Sequence, residues 1–555
     1  MKINGATAIA KCLTEQGATT VFGYPGGQIL DVFDALYNTP EITQILTAHE
    51  QGAAHAAEGY ARATGKVGVV IATSGPGATN LVTGIADAYL DSVPLVAITG
   101  NVPVPLLGRD SFQEVDIAGI TMPITKHNFI VKNPDDLVGA IRRAFHIARS
   151  DRPGPVLVDV PKNVQQALVE YTPLPPEPRR VPPLQSDLTP AVELINGSLR
   201  PIVYAGGGIT ASGASAELME FARKINAPIA LSMMGLSAIP TDSEYYAGLI
   251  GMHGNAGVAK LLQNADLVIA VGARFSDRVA SDRKNFCSHA RILHIDIDEA
   301  EIDKNVKSYA HVRGDAKQAL AALTSRIDKK TDRTMLDLNA EYKKTCPLPP
   351  CRGRLSPRTV IDYVSAHAGD VIVATDVGQH QMWTAQSYKF KTPRTFITSG
   401  GLGTMGFGLG AAIGAAVGTG KRAVLFTGDG SFHMNLNELS TATRLDIPLT
   451  VLVFDNRTLG MVRQWQTLFY GKRYSSTDLD ANKTDFVKLA EAFGANGLTL
   501  DDDKNVPTVL DKALSAAGVT VVDCRIEKDE FVLPMIPPGK GLRDIITSVD
   551  EKDMK

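Results

Sequence analysis

The sequence predicts an α/β protein made of three doubly wound α/β domains with mainly parallel sheets. Apolar, β-branched runs end in glycine-rich turns and alternate with helical spacing, as strands buried on both faces of a sheet do. The 555 residues exceed what one hydrophobic core supports. Proline-rich breaks at 171–183 and 346–353 disfavour regular structure and mark linkers. We therefore expect domains at 1–165, 186–326 and 355–555.

The composition is that of an enzyme acting on small molecules. The formal net charge is -3, so no polyanionic partner is implied and we expect no nucleic acid. No apolar run is long enough to span a bilayer, and the N-terminus has no signal-peptide pattern. The five cysteines are scattered and odd in number, which favours reduced thiols. We expect a cytoplasmic protein with no membrane partner.

The first and second predicted domains each contain apolar strands followed by turns. In the first domain, segment 47–62 is rich in alanine and glycine and predicts a helix that another backbone approaches closely. Glu50 lies in its first turn, where a glutamate can also simply complement the helix dipole. The strand candidates of the two domains are Val67–Ala72, Pro94–Thr99, Pro155–Val160, Pro201–Ala205, Leu267–Val271 and Ile292–Ile297.

The third predicted domain contains the most informative segment, from Gly428-Asp429-Gly430-Ser431 to Asp455-Asn456. Strand candidates Ala423–Thr427 and Leu449–Phe454 flank a predicted helix at Met434–Leu445. Because parallel strands end at the same sheet edge, Asp429 and Asn456 should lie side by side near a helix N-terminus. Their oxygens suit Mg²⁺ and a phosphate-bearing ligand. A Gly-Asp-Gly turn also occurs without a metal, so the turn alone leaves both interpretations open.

The first and third domains share an internal pattern. Gly65-Lys66 precedes a strand, a Gly-rich turn, a helix and a strand entered at Pro94, and Gly420-Lys421 precedes the same series up to Pro448. The spacings are 29 and 28 residues (94 − 65 and 448 − 420). The match predicts a duplicated domain, although two unrelated doubly wound domains could coincide in this way.

Two of these patterns together resemble the thiamine diphosphate (ThDP) enzyme family. Its signature is GDG followed, after an intervening helix, by Asn, and His49-Glu50-Gln51-Gly52-Ala53 resembles its pyrimidine-binding helix. The resemblance implies that Asp429, Asn456 and the Thr458 carbonyl hold Mg²⁺ on the diphosphate. Glu50 would hydrogen-bond the pyrimidine and stabilise its imino form. We expect segment 459–465 to be a loop over ThDP. The other implied ThDP contacts are Gln379, His380, Gly403, Met405, Gly428, Gly430, Ser431, Leu459, Gly460, Met461 and Val462.

Within that family, the chain resembles the acetohydroxyacid synthases from Gly5 to about Pro538. The strings that carry the resemblance include Val21–Gly27, Thr73–Asn80, Ile124–Asn128, Gly272–Phe275 and Gly460–Gln466. The resemblance implies decarboxylation of pyruvate and condensation with a second pyruvate or with 2-ketobutyrate. It implies that Arg278 meets the ketoacid carboxylate, that Trp465 shapes the acceptor pocket, and that Phe112, Gln113 and Lys162 line the channel from a partner subunit.

The same resemblance implies FAD in the middle domain, held without net redox chemistry. The matching positions are Arg152, Gly206, Gly207, Gly208, Met252, His253, Gly272, Arg274, Asp296, Ile297 and Asp315. A glycine turn alone is weak evidence for a dinucleotide. The sequence leaves open an FAD-free catabolic acetolactate synthase, and a pyruvate oxidase or 2-ketoacid decarboxylase of the same family. Family members build each site from two chains, so we expect a homodimer or homotetramer, with a small regulatory subunit as a further partner.

Overall fold

The computed structural model describes residues 1–184 and 187–549. The predicted domain limits at 186 and 555 lie outside these residues. Three six-stranded sheets, each parallel throughout, form the three domains. The predicted fold class is therefore confirmed. In 1–184 and 187–549, no helix combines the length and apolar character needed to cross a membrane.

The first domain has the strand order β3-β2-β4-β5-β7-β6, and a small antiparallel pair, β1 with β8, ties its N-terminus to its last strand. Its strands are β1 (Lys2–Asn4), β2 (Thr20–Tyr24), β3 (Thr43–Leu46), β4 (Gly68–Ala72), β5 (Leu95–Asn101), β6 (His127–Ile130), β7 (Pro155–Pro161) and β8 (Leu168–Glu170). Its helices are α1 (Gly5–Glu15), α2 (Leu30–Tyr37), α3 (Glu50–Thr64), α4 (Pro76–Thr79), α5 (Val82–Leu90), α6 (Ile117–Thr121), α7 (Leu137–Arg149) and α8 (Lys162–Gln166).

The middle domain has the strand order β11-β10-β9-β12-β13-β14, which is 3-2-1-4-5-6 in chain order. Doubly wound sheets of this order bind dinucleotides in the crevice where the order reverses, here between β9 and β12. Its strands are β9 (Pro201–Ala205), β10 (Ile229–Leu231), β11 (Tyr246–Leu249), β12 (Leu267–Val271), β13 (Arg291–Asp296) and β14 (Ala310–Arg313). Its helices are α9 (Thr189–Gly197), α10 (Gly207–Ser212), α11 (Ser215–Ile225), α12 (Ala256–Asn264), α13 (Ala316–Arg326) and α14 (Thr334–Thr345).

The third domain has the order β16-β15-β17-β18-β20-β19, so its chain reverses between β15 and β17. Its strands are β15 (Ile372–Thr375), β16 (Phe396–Ile397), β17 (Ala423–Gly428), β18 (Leu449–Asp455), β19 (Asn496–Leu500) and β20 (Val519–Arg525). Its helices are α15 (Pro357–His367), α16 (Gln379–Ser387), α17 (Phe407–Thr419), α18 (Asp429–Asn435), α19 (Leu439–Arg444), α20 (Gly460–Phe469), α21 (Phe486–Ala492) and α22 (Val506–Ser515).

The first and third sheets share one topology. When the strands of each sheet are numbered in chain order, both sheets run 2-1-3-4-6-5. In each domain the Gly-Lys pair precedes one strand, β4 or β17, and the proline precedes the next, β5 or β18. Two unrelated domains can share a spacing by chance, but a common order of six strands is a much stricter match. The predicted duplication is therefore supported by topology as well as by spacing.

Helices α3 and α17 join the two duplicated domains by direct backbone contact. A Cβ atom added at Gly414 would lie 1.8 Å from the Ala56 carbonyl oxygen, and one at Gly59 would lie 2.0 Å from the Ala411 oxygen. Only glycine permits this approach. The alanine- and glycine-rich composition of segment 47–62, which predicted a close backbone neighbour, is explained by α17.

Two predicted elements differ in the structure. The helix expected at Met434–Leu445 begins earlier, at Asp429, and is interrupted by a 3₁₀ turn at Leu436–Glu438. The interruption coincides with the Glu438 carboxylate, which accepts the backbone N–H groups of Ala48 and His49 from the first domain. The predicted loop at 459–465 is instead largely helix α20.

Candidate active site

One cavity of about 1230 Å³ contains nearly every residue predicted to bind a ligand. It is larger than a typical small-molecule pocket, because it joins the reversal point of the third sheet to that of the middle sheet. All the predicted ThDP, FAD and substrate residues line it except four: Glu50, Phe112, Gln113 and Lys162. These four belong to the first domain.

The edge of the third sheet brings the three predicted metal ligands together. Strands β17 and β18 pair in register, with Gly428 opposite Phe454, so Asp429 and Asn456 follow the ends of neighbouring strands. The Thr458 amide donates to Asn456 Oδ1 at 3.2 Å. All three residues are buried and line the cavity. A carboxylate, an amide and a carbonyl oxygen in one place match the oxygen donors that Mg²⁺ prefers.

The electrostatics of this edge favour a cation. Burial, together with the neighbouring Asp455 carboxylate, raises the pKa of Asp429 above its usual range. Arg457 donates to Asp455 from Nε at 3.0 Å, so the carboxylate of Asp455 already has a partner. A divalent ion would stabilise the ionised form of Asp429.

His380 and Gln379 begin α16 at the same edge but differ in what they can offer. Nε2 of His380 is buried and has no hydrogen-bond partner among residues 1–184 and 187–549, and burial lowers the pKa of this imidazole to about 3. The Gln379 amide instead donates to the Glu530 carbonyl at 2.6 Å and accepts from Asn456 at 3.2 Å. His380 is therefore left with an unused polar atom, whereas Gln379 also supports the side chain of Asn456.

The remaining third-domain residues surround this edge. Ser431 donates from its hydroxyl to the Val377 carbonyl at 3.0 Å, and Gly403 has a positive φ of 73°. The side chain of Met405 approaches Gly430, whose added Cβ would lie 3.8 Å from the methionine methyl. Leu459, Gly460, Met461 and Val462 approach from the start of α20.

Trp465 and Arg278 lie where the two halves of the cavity meet. Trp465, on α20, is half-buried, contacts Phe469 edge to face at 5.6 Å, and packs against a C-terminal apolar cluster that includes Phe531 and Met535. The Arg278 side chain is 62% exposed, and its closest polar neighbours are Met252 Sδ at 3.7 Å and Asp277 at 3.8 Å. A guanidinium held so loosely can meet a carboxylate in the cavity.

The middle-domain crevice is built by two turns in contact. A Cβ on Gly206 would lie 2.1 Å from the Gly272 oxygen, and one on Gly208 would lie 2.6 Å from the Gly272 Cα. These turns follow β9 and β12, at the point where the strand order reverses. Arg274 and Ile297 line the same crevice, as do Gly207 and Met252.

Four charged or titratable residues complete that crevice. Burial raises the pKa of Asp296 to about 6 and lowers that of His253 to about 4. In the part of the chain that the structure describes, Nδ1 of His253 has no hydrogen-bond partner. Asp315 accepts the Lys317 amide at 3.0 Å as the cap of α13. Arg152 crosses from the first domain and donates to Asp298 and Glu301, each at 2.9 Å.

The four residues outside the cavity form a separate group at the carboxyl edge of the first sheet. Asn80 donates to Glu50 at 2.9 Å, and both Glu50 and Gln113 contact the Gly75–Gly77 turn. Lys162 donates to the Gly27 carbonyl at 2.7 Å. Phe112 is 84% exposed. Within one chain, Glu50 therefore does not line the cavity that contains Asp429.

Comparisons with known proteins identify the family to which this chain belongs. Three family models match, described as the thiamine pyrophosphate enzyme N-terminal binding domain at 3–120, central domain at 188–323 and C-terminal binding domain at 376–524. A probable acetolactate synthase large subunit of Methanocaldococcus jannaschii is 44% identical, over 99% of this chain and 96% of its own. The acetolactate synthase isozyme 2 large subunit of Escherichia coli K12 is 44% identical, over 98% and 99%. The chain belongs to the acetolactate synthase large-subunit family.

In this thiamine pyrophosphate enzyme, the first and third domains bind ThDP, which is another name for thiamine pyrophosphate.

Some cavity residues were not predicted from the sequence. Asp91 and Ser92, at the end of α5, reach the cavity from the first domain, and Arg179 reaches it from the proline-rich linker. Arg179 lies 3.6 Å from Asp315. No motif marks these residues, because their position depends on how separate domains pack.

Proposed function

We propose that this chain is the catalytic subunit of an acetohydroxyacid synthase. It would decarboxylate pyruvate and join the remaining two-carbon unit to a second pyruvate or to 2-ketobutyrate. The products, acetolactate and acetohydroxybutyrate, are precursors of branched-chain amino acids. The observation that carries the proposal is that one cavity is lined both by Arg278 and Trp465 and by Asp429 and Asn456 at the edge of the third sheet.

The chain's own residues would hold ThDP and its metal at the edge of the third sheet. Asp429, Asn456 and the Thr458 carbonyl would bind Mg²⁺, and His380, in the tautomer protonated at Nε2, would donate to a diphosphate oxygen. Bound ThDP supplies the nucleophilic carbon and the electron sink for decarboxylation. Leu459–Val462 and Met405 would cover the cofactor and exclude water.

Glu50 would act at the other end of the cofactor. Its carboxyl group would hold a proton in a hydrogen bond to the pyrimidine ring, which favours the imino form of that ring. Asn80 donates to the second carboxyl oxygen at 2.9 Å and so fixes the orientation of the group. Glu50 is half-buried beside the small residues of the Gly75–Gly77 turn, which leaves space for a flat ring.

Arg278 and Trp465 would select the second ketoacid. The Arg278 guanidinium can form two parallel hydrogen bonds to a carboxylate, and its ion pair with Asp277 is long, at 3.8 Å. The Trp465 indole offers a large, rigid apolar wall for the alkyl group of the acceptor.

FAD would occupy the crevice of the middle domain. The 3-2-1-4-5-6 strand order, the paired glycine turns and the unpartnered His253 Nδ1 support a dinucleotide there. Arg152 and Arg274 would supply positive charge toward its pyrophosphate. The flavin would have a structural role, since the proposed reaction involves no net redox change.

The active site would be completed by a second copy of the chain. Glu50, Phe112, Gln113 and Lys162 lie together, away from the cavity of their own chain, so a symmetric partner would present them to the other cavity. The exposed Phe112 suits burial in such an interface. A homodimer is the smallest assembly that meets this need, and a homotetramer or an added small regulatory subunit is compatible with it.

Product analysis tests the proposed function. The purified chain is incubated with pyruvate, ThDP, Mg²⁺ and FAD, with and without 2-ketobutyrate, and its products are identified by mass spectrometry. We expect acetolactate alone in the first case and added acetohydroxybutyrate in the second. Acetaldehyde as the main product would show a decarboxylase, and reduction of an added electron acceptor would show an oxidase.

An Arg278→Gln variant should raise the KM for the second ketoacid, the acceptor of the two-carbon unit.

A further inference from the structure

The loop at 399–404 lines the cofactor cavity but contains little to fix its own shape. It joins β16 to α17 and has the sequence Ser-Gly-Gly-Leu-Gly-Thr. Ser399, Leu402 and the three glycines line the cavity. A loop so rich in glycine loses much backbone freedom when it is ordered. Contacts from elsewhere must therefore hold it.

Those contacts come from two carboxylates of the first domain. Asp91 accepts the Gly400 amide at 2.9 Å on one oxygen and the Gly401 amide at 2.7 Å on the other. Asp87 accepts the hydroxyl groups of Ser399 and Thr404.

The Ser399 hydroxyl extends this support to the far end of the loop. Its oxygen accepts the amides of Gly403 at 3.0 Å and Thr404 at 2.9 Å. Four backbone N–H groups of the loop thus depend, directly or through one hydroxyl, on Asp87 and Asp91. Hydrogen bonds to charged acceptors are stronger than those between neutral groups.

Arg62 keeps the two carboxylates in place. Its Nη2 lies 2.9 Å from Asp91 and 3.2 Å from both Asp87 and Glu58. Arg394 of the third domain donates to the Arg62 carbonyl at 3.2 Å, which closes the network across the domain interface. These side chains are buried or nearly so, where an ion pair is weakly screened.

The first two glycines of the loop also lie close to the two neighbouring domains. A Cβ on Gly400 would lie 2.3 Å from Met234 Sδ, and one on Gly401 would lie 2.8 Å from Asp91 Oδ1. The middle domain packs against one side of the loop and the first domain against the other. Loss of the carboxylate contacts would therefore leave the exposed Gly400 and Gly401 amides without the acceptors that fix the shape of the loop.

We propose that Asp91, supported by Asp87, is a positioning residue that holds the 399–404 loop in the shape required to bind ThDP. Asp91 would set the affinity for the cofactor through the loop and would take no part in the reaction. The inference rests on the cofactor site of the third domain.

The test compares Asp91→Asn with a matched control. Asp266 accepts the successive amides of Leu199 at 2.8 Å and Arg200 at 2.9 Å, the same contact as at Asp91, but it lies in the middle domain away from the cavity. ThDP affinity is measured by calorimetry on the full chain with Mg²⁺, and amide hydrogen exchange is followed by mass spectrometry. Both readouts are independent of turnover.

We expect Asp91→Asn to weaken ThDP binding by about tenfold to a hundredfold, since an amide places a donor against one of the two N–H groups. Exchange should speed up in the peptide covering 400–404, while kcat at saturating ThDP stays within about twofold of wild type. Asp266→Asn should lose comparable thermal stability and keep its ThDP affinity.

Two results would overturn the proposal. One is wild-type ThDP affinity in Asp91→Asn despite faster exchange in the loop. The other is an equal loss of affinity in Asp266→Asn, which would make the effect one of general stability. Failure of the proposed function would look different, because wild-type protein would then bind ThDP but form no acetolactate.

Discussion

The separation of Glu50 from the Asp429 cavity leads to a prediction about mixed pairs of chains. We consider two variants, Glu50→Gln and Asp429→Ala, each of which should be inactive alone. If each site takes Glu50 from one chain and Asp429 from its partner, a mixed pair contains one site with both defects and one with none. If each site belongs to a single chain, both sites of a mixed pair are defective.

This arrangement determines how much enzyme activity the mixed pairs should recover. Equal co-expression with random pairing makes half of the pairs mixed, and half of their sites are intact, so activity should return to about 25% of wild type. Purification through two different affinity tags, one on each variant, isolates the mixed pairs and should raise this to about 50%. The assay is acetolactate formation from pyruvate at saturating ThDP and Mg²⁺.

A reciprocal control uses the same two substitutions in one chain. A doubly tagged pair of wild type with the Glu50→Gln/Asp429→Ala chain should be inactive, because each of its sites then carries one defect. A site formed within a single chain would instead leave that pair about half active. Recovery in this pair, with none in the pair of single variants, would refute the two-chain site.

Three further predictions concern single residues. Asp429→Ala should abolish Mg²⁺-dependent ThDP binding in calorimetry, and tight binding would place the metal elsewhere. Gly414→Val should lower the free energy of unfolding by about 1–3 kcal/mol or more in urea titration, because its Cβ would meet the Ala56 oxygen at 1.8 Å; an unchanged midpoint would contradict the close crossing. Trp465→Leu should lower the acetohydroxybutyrate to acetolactate ratio by roughly tenfold when both ketoacids compete, since one methylene in a pocket is worth that much, whereas an unchanged ratio would remove Trp465 from the acceptor wall.

Much of the fold was predictable because it depends on local patterns. Strands β9 and β12 coincide with the predicted ranges, and most other predicted strands differ by one or two residues at an end. Apolar runs buried on both faces, each closed by a glycine or proline, leave few other interpretations. The duplication was also visible, since the nearly equal Gly-to-Pro spacings of 29 and 28 residues accompany a shared topology.

Elements whose shape depends on distant partners were predicted less well. The helix at Asp429 begins directly after β17, yet apolar spacing is clear only from Met434 onward, so the polar first turn was missed. Segment 459–465 was predicted as a loop from the family resemblance, yet it begins the amphipathic helix α20, which packs against the C-terminal residues around Phe531.

For the candidate site too, residues set by local motifs were predicted and residues set by distant contacts were not. Residues in strand-end motifs, such as Asp429 and Gly206, were identified because the motif fixes their place at a sheet edge. Asp91 was not, since it acts on Gly400 more than 300 residues away, and no pattern in the sequence reports that contact. Gln379 was identified but not its hydrogen bond to Glu530, for the same reason.

The crossing of α3 and α17 has a consequence for how the enzyme can move. Helices separated by a layer of long side chains can slide, because those side chains can change rotamer as they pass. Here peptide groups touch peptide groups at Gly59 and Gly414, so any shear between the two domains meets a steric barrier at once. The duplicated domains should behave as one rigid body, and the opening that admits a ketoacid should be sought in α20 and the C-terminal segment that packs on it.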